Sequence, residues 1–370
     1  MSNAGPERPI PVLRPRLPSA EALLPWLRRI DSCRIYSNFG PLCTEFAARL
    51  GDHFGVGAGA ILPVANATQG LTAALLALGA RPGTLCAMPA FTFVATAHAA
   101  IAAGLVPWLL DIDAERWDLD PATLDRVLDL APGEVGAAIP VCPFGRPIDG
   151  ADWAEFSRRT GIAVVIDAAA GFDALTVGPV PAVVSLHATK AMGIGEGGFI
   201  ACSDHQVMQD AMRRVNFGFF GSREALGVAT NAKMSEYHAA VGLAALEEWP
   251  AARAAFASVQ TGLRRRVEPM GIAWPAGLGS EWVPSTISVA LPVPAVNAAV
   301  RLAEDGIESR QWWGGGLHRH PAFATCPRTA LPVTDAVARS VLGLPCWRGL
   351  DEAALDAIGR SLAGAVGGSP

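Results

Sequence analysis

Three short stretches carry side chains that could do chemistry together: Val164-Val-Ile-Asp167, Val183-Val-Ser185-Leu-His187-Ala-Thr189-Lys190 and Gly193-Ile-Gly-Glu-Gly-Gly198. Asp167 closes one apolar run. Ser185 and Lys190 follow another, with Lys190 twenty-three residues after Asp167. Taken singly, a lysine after a strand reads as a surface residue, and an aspartate there as a turn or helix cap. As an ordered set at the ends of two buried strands, they bring a carboxylate and an amine where both lose hydration. That is costly unless a third group compensates the charges. Pyridoxal phosphate is such a group. An amine of lowered pKa takes its aldehyde as a Schiff base. A carboxylate against the pyridine nitrogen keeps that nitrogen protonated and makes the ring an electron sink. The freed lysine can then carry a proton between substrate carbon and cofactor carbon.

The glycines at 193, 195 and 198 satisfy the dinucleotide pattern G-x-G-x-x-G. That pattern should follow a strand and open a helix, whereas Phe199-Ile-Ala-Cys202 reads as a strand. The run is therefore read as a backbone loop under the lysine, not as a nicotinamide site. A phosphate needs a cradle, and Asn66-Ala-Thr68-Gln69 opens a helix whose first N–H groups and Thr68 hydroxyl can meet an anion. The same residues also suit an ordinary cap. Phe91-Thr-Phe93-Val-Ala-Thr96 follows a strand end, where an aromatic side chain can stack on a flat ring or belong to the core.

The elements that must hold these residues follow from apolar periodicity. Leu85–Met88, Leu105–Leu110, Ala137–Val141, Ala163–Ile166 and Ala182–Leu186 are short apolar runs. Helix-length segments such as Gln69–Leu78, Pro121–Leu130 and Ala151–Thr160 separate them. Near-continuous apolar strands alternating with helices predict a mostly parallel sheet covered on both faces, with ligands beyond its carboxyl edge. After about residue 245 the pattern changes: a long helix from Glu247 to about Val267, a strand Ile287–Leu291, a helix Pro294–Asp305 and a last helix after Asp351. This predicts two domains, a large α/β domain over 1–245 with an N-terminal arm and a smaller α+β domain over 246–370.

Composition narrows the function classes. Of 370 residues, 51% are hydrophobic and 17% charged, which describes a well-buried globular chain. Mean hydropathy is +0.31, so Phe93–Leu110 must be weighed as a membrane span. It contains Thr96, His98, Gly104 and Pro107 and runs into Asp111 and Asp113. A helix ending at Gly104 followed by a strand explains it better, and no membrane association is expected. A net charge of −5 without a basic run argues against nucleic acid. Seven scattered cysteines without a C-x-x-C pair fit reduced thiols in the cytoplasm, and no secretory signal is read. His318-Arg-His320 offers too few ligands for a metal site.

The chain resembles the DegT/StrS family of nucleotide-sugar aminotransferases, from Asn38-Phe-Gly-Pro41 to Leu344-Pro345 and the last helix. Ser185 to Lys190 followed by Gly195-Glu-Gly-Gly198 is the most specific match. The resemblance implies a fold-type I pyridoxal-phosphate transferase, aspartate aminotransferase-like, with a mostly parallel seven-stranded sheet. It implies Lys190 as the Schiff-base residue, Asp167 facing the pyridine nitrogen, phosphate contacts from Ala67, Thr68 and Ser185, and Phe93 stacking on the ring. Asn231-Ala-Lys233-Met-Ser-Glu236 is similar to a motif whose Asn reaches the neighbouring subunit's phosphate. This implies a homodimer with shared active sites. Lys233, Arg310 and His318 are implied near substrate. Two departures stand out: Ala67 replaces a glycine, and Ala170 stands where the family has Gln or His, so a contact to the cofactor's phenolic oxygen or phosphate is missing or supplied elsewhere. Lys190 argues against the dehydratases that carry His at this position.

The activity implied is transamination. An amino acid, by resemblance glutamate, loads an amino group on the cofactor and leaves as its 2-oxo acid. The amine then passes to a keto group of a nucleotide-linked deoxysugar, a dTDP-4-keto-6-deoxyhexose. The alternatives are an aminotransferase acting on a cyclitol or another keto substrate, and a non-catalytic cofactor- or sugar-binding sensor. Trp312-Trp313-Gly-Gly-Gly316 is either a stacking loop for substrate or packing against the large domain.

Overall fold

The computed structural model describes residues 9–367; the first eight residues of the expected arm lie outside the described residues. Ten strands run in chain order as β1 (Ile61–Val64), β2 (Leu85–Pro89), β3 (Val106–Leu110), β4 (Val135–Ala138), β5 (Ala163–Val164), β6 (Ile166–Asp167), β7 (Ala182–Ser185), β8 (Gly198–Ala201), β9 (Ile287–Ala290) and β10 (Val341–Leu344). Two ladders, β1-β8-β7-β6 and β3-β2-β4-β5, meet in the segment 163–167. The Val165 N–H donates to the Ala138 carbonyl at 3.0 Å, and the Ile166 N–H to the Pro181 carbonyl at 2.8 Å. One extended segment thus pairs on both sides, which makes a continuous sheet. β6–β7, β4–β5, β2–β4 and β2–β3 are parallel, and β8 runs antiparallel to both of its neighbours.

The strands are short, apolar and buried on both faces because side chains alternate between two cores. Leu85, Ala87, Ala182 and Val184 face one core with Trp26, Phe46, Trp153 and Trp249. Cys86, Met88, Val183 and Ile200 face the other with Leu71, Leu75, Ala97 and Ala100. This period of two explains why the runs lack polar residues. The carboxyl ends of β1, β2, β4, β6 and β7 share one edge, and β8 starts from it. The apolar stretch 93–110 resolves into a helix Val94–Ala102, a turn at Gly104 with φ +82°, and β3. No described helix is long and apolar enough to cross a membrane.

The long helix starts eleven residues earlier than the sequence pattern suggests, at Glu236, and runs to Val267. Pro250 lies inside it, and the helix continues through that residue. Its true start is capped by Ser235, whose side chain accepts from the His238 N–H at 3.2 Å. The expected boundary after residue 245 therefore falls inside one helix. Packing also crosses it in both directions. Ile10 belongs to the core of the C-terminal region, and its N–H donates to the Gly306 carbonyl at 2.9 Å. Conversely, Leu317, Phe323 and Leu331 are buried in a core of the sheet, and the Leu109 N–H donates to the Pro327 carbonyl at 2.9 Å. The C-terminal region has its own antiparallel pair, β9 with β10, under the helices Ala295–Glu304 and Glu352–Val366.

Glu236 ties the start of that long helix to another. It is fully buried, and its carboxylate accepts the N–H groups of Leu42 at 2.7 Å and Cys43 at 2.9 Å. Those are first-turn donors of the helix Pro41–His53, which has no side-chain cap at Gly40. Glu236→Ala orphans both. It should cost about 2–4 kcal/mol of stability, read as a lower urea midpoint with unchanged slope; an unaltered midpoint would refute the capping role.

Candidate active site

Lys190 sits in a loop that closes on itself. The Leu186 N–H donates to the Gly197 carbonyl, Ala188 N–H to Gly195, Ile194 N–H to Leu186 and Lys190 N–H to His187, at 2.8 to 3.0 Å. Such a turn leaves no room for side chains inside it. A Cβ on Gly193 would lie 2.7 Å from the Ala188 carbonyl oxygen, and Gly195 has φ +101°. The glycine run is thus the loop beneath the lysine. The Ser285 hydroxyl anchors it further by donating to the Thr189 carbonyl at 2.7 Å.

Asp167 ends β6, one strand away, opposite Val183 of β7. It is 5% exposed. Its Oδ2 accepts from the Thr96 hydroxyl at 2.8 Å and its Oδ1 from the Ala169 N–H at 3.1 Å. Burial pushes its pKa up, against those two donors and Lys190. Burial pulls the Lys190 pKa down, opposed by the charge of Asp167. Both groups line one cavity of about 360 Å³.

The same cavity receives the helix Ala67–Ala77. Asn66 caps it with an extended backbone, and its side-chain oxygen accepts the Gln69 N–H at 2.9 Å. Asn66, Ala67, Thr68 and Ser185 all line the cavity. Gly198 lets β8 pass directly beneath that helix start, since a Cβ there would lie 2.9 Å from the Ala67 nitrogen. Phe93 caps the helix Val94–Ala102, is 55% exposed and lines the opposite wall. Ala170 also lines the cavity.

The remaining wall is aromatic. Phe144 stacks on Trp313 with centroids 4.0 Å apart, and Phe91 meets Trp313 edge-on at 4.9 Å. Phe144 holds φ +53°, unusual for a bulky residue. Trp313 therefore packs against Phe144 and Phe91, and both it and Trp312 line the cavity. Arg310 lies one side chain back, exposed, with its guanidinium 5.2 Å from the Trp312 ring.

Four expected site residues lie outside this cavity, Arg310 behind Trp312 among them. His318 is turned away: Leu317 is buried with its N–H donating to the Ala90 carbonyl at 2.7 Å. His318 Nε2 then meets Asp335 Oδ1 at 3.0 Å. A carboxylate does stand beside that histidine, contrary to the sequence expectation. Asn231 is exposed and bridges to Asn216. The Lys233 ammonium lies 4.2 Å from the Phe217 ring centroid, with its pKa lowered by burial. Sequence reading missed Thr96 and Thr92, both buried, with hydroxyls 2.9 Å apart. The available signal was a lone threonine in the apolar helix of residues 94–102.

The donor set fits pyridoxal phosphate. A buried carboxylate without a cation, an amine of lowered pKa, a helix start with free first-turn N–H groups and an open aromatic face surround one cavity. The family model described as DegT/DnrJ/EryC1/StrS aminotransferase family matches residues 20–363. The chain belongs to that family. It is an aminotransferase, and pyridoxal 5′-phosphate is its cofactor. Among its relatives, protein Rv3402c of Mycobacterium tuberculosis H37Rv is 31% identical over 374 residues, covering 96% of this chain and 89% of that protein. The dTDP-4-amino-4,6-dideoxy-D-glucose transaminase of Shigella dysenteriae is 33% identical over 248 residues, 65% of each chain. The crystal structure of DesI in the presence of its TDP-sugar product superposes with a TM-score of 0.87 at 26% identity, covering 99% of this chain and 95% of that one.

Lys190 and Asp167 strain the apoprotein of this DegT/DnrJ/EryC1/StrS aminotransferase. A lysine whose folded pKa is lowered binds fewer protons folded than unfolded. The native state therefore gains stability as pH rises toward the ordinary lysine value of 10.5. The double variant Lys190→Met/Asp167→Leu, which removes both buried groups, should stabilise the apoprotein near neutral pH by about 1–4 kcal/mol, and the part of that advantage that comes from the lysine should shrink as pH rises. Thermal melts from pH 7 to 10 test this; a destabilised variant at pH 7 would contradict it.

Proposed function

We propose that this aminotransferase takes an amino group from glutamate and places it on a nucleotide-linked deoxysugar, at the keto group of a dTDP-4-keto-6-deoxyhexose. The observation that carries the reading is Lys190 and Asp167 lining one cavity with a helix start, in a chain whose Shigella relative is named for a dTDP-amino-dideoxyglucose. The TDP-sugar product in the DesI structure supports the same substrate class. When bound, pyridoxal phosphate supplies an aldehyde that takes an amine and a protonated ring that accepts electron density.

The chain's residues divide the remaining work. Lys190 holds the aldehyde and, once released, moves a proton at its Nζ between substrate and cofactor carbons. Burial lowers its pKa, which favours the neutral, nucleophilic amine. Asp167 would accept a hydrogen bond from the ring nitrogen and so keep that nitrogen protonated. The first-turn N–H groups of Ala67 and Thr68, with the Thr68 and Ser185 hydroxyls, hold the phosphate. Phe93 packs on the ring. The Phe144–Trp313 stack excludes water, which strengthens the electrostatics inside. Arg310, behind Trp312 and outside the cavity lining, is the proposed contact for an anionic substrate.

We also propose a homodimer with shared sites, acting in the cytoplasm, where the seven free thiols stay reduced. Phe217, Phe220, Leu226 and Val228 are exposed large apolar residues, and the Phe217 N–H donates to the Thr230 carbonyl beside Asn231 at 3.0 Å. A patch of this kind invites a second copy. It also supports roles for Asn231 and Lys233 in the neighbour's site.

Incubation of the purified enzyme with glutamate and a panel of keto-sugar nucleotides should release 2-oxoglutarate and yield the amino sugar. Lys190→Ala should lower turnover roughly 10³-fold or more. A keto-inositol as the preferred acceptor would overturn the sugar assignment. Mixing subunits carrying Lys190→Ala with subunits carrying Asn231→Ala should restore up to about one quarter of wild-type activity, since half the dimers then hold one intact site. No recovery after subunit exchange would place Asn231 outside its neighbour's site.

A further inference from the structure

The buried carboxylate of Asp167 is backed by two hydroxyls that the transamination chemistry does not touch. Thr96 Oγ1 donates to Asp167 Oδ2 at 2.8 Å, and Thr92 Oγ1 lies 2.9 Å from Thr96 Oγ1. Thr96 is fully buried and Thr92 is 1% exposed, so water does not compete for either. Each hydroxyl has one proton and two lone pairs. With Asp167 ionised and able only to accept, the Thr96 proton is committed to it. Thr92 must then donate to Thr96, and the chain has a single direction, ending at the carboxylate.

We propose that Thr96, backed by Thr92, is the positioning residue for Asp167: it fixes the carboxylate's rotation and holds it as an acceptor facing the cavity. This rests on the reading that Asp167 meets the pyridine nitrogen. An ionised carboxylate offers about four acceptor positions. Thr96 takes one on Oδ2 and the Ala169 N–H one on Oδ1. The others remain for a donor in the cavity. Both fixing contacts come from elements on the protein side, Thr96 from the helix that Phe93 caps and Ala169 from the turn after β6. The arrangement also links two ligand-facing residues, because Phe93 lies between the two threonines in sequence. The helix start that presents the aromatic ring also sets the carboxylate. Ala170 leaves no polar side chain at its position to share that task.

A charge-assisted hydrogen bond that vanishes in a buried site removes a preference for the ionised form. Thr96→Val keeps the volume and loses the hydroxyl. Titrating apoprotein with pyridoxal phosphate, followed by tryptophan fluorescence, should give roughly 10- to 100-fold weaker binding. The acid limb of the affinity against pH should move to higher pH. Thr96→Ser should restore both. Thr92→Val, one hydroxyl further from Asp167, should show the same shift in smaller measure, and serves as the test if Thr96→Val does not fold. In an Asp167→Asn background Thr96→Val should add less than about threefold, because the charge it served is gone. Wild-type affinity and pH dependence in Thr96→Val, or full additivity with Asp167→Asn, would reduce Thr96 to packing and overturn the proposal. Unchanged binding in Asp167→Asn alone would instead overturn the reading of Asp167 on which it rests.

Discussion

Desolvation of one amine and one carboxylate on a shared cavity is the constraint around which the rest is arranged. Burial shifts Lys190 and Asp167 toward their neutral forms and offsets the attraction between them. In water neither would be unusual. Their reactivity is therefore a property of the sheet edge, maintained against stability by everything that keeps them in place. The parallel pairing of β6 with β7 sets their lateral spacing. The closed loop from Leu186 to Gly197 sets the height of the lysine above that edge.

The cavity depends equally on stitching between the sheet and the C-terminal region. Asp111, just past β3, accepts from the Val333 and Thr334 N–H groups and the Thr334 hydroxyl at 2.7 to 2.9 Å. It thereby caps the helix Pro332–Ser340 across more than two hundred residues of chain. Ser285 ties the opposite side to Thr189. Between these anchors Trp313 is pressed against Phe144 and Phe91, so its position is fixed by residues next to the sheet. The unusual backbone of Phe144 persists because that stack over-determines it.

Much of this was legible in the sequence. The apolar runs announced the strands because both faces of a parallel sheet are buried, and the glycines around Lys190 announced a loop too tight for side chains. Helix starts were less legible. Sequence reading missed the first eleven residues of the long helix, and the helix runs on through Pro250, a residue that usually ends one. β1 and β10 carry Pro63 and Gly343, residue types that weigh against a strand, and sequence reading missed both. His318 looked available for substrate, and only the burial of Leu317 shows that it faces Asp335 instead.

The sequence by itself determined the chemistry. An ordered lysine, aspartate and serine at the ends of apolar strands, with a glycine loop after them, admit few other uses, because each is costly to bury without a ligand. Only the tertiary structure decided how that chemistry is supported. The Thr92–Thr96 pair behind Asp167, the arm joined to Gly306, and the return of residues 317–331 to the sheet all join positions far apart in the chain or hidden in apolar text. Contacts of this kind are selected by packing in three dimensions and leave no period or spacing to read.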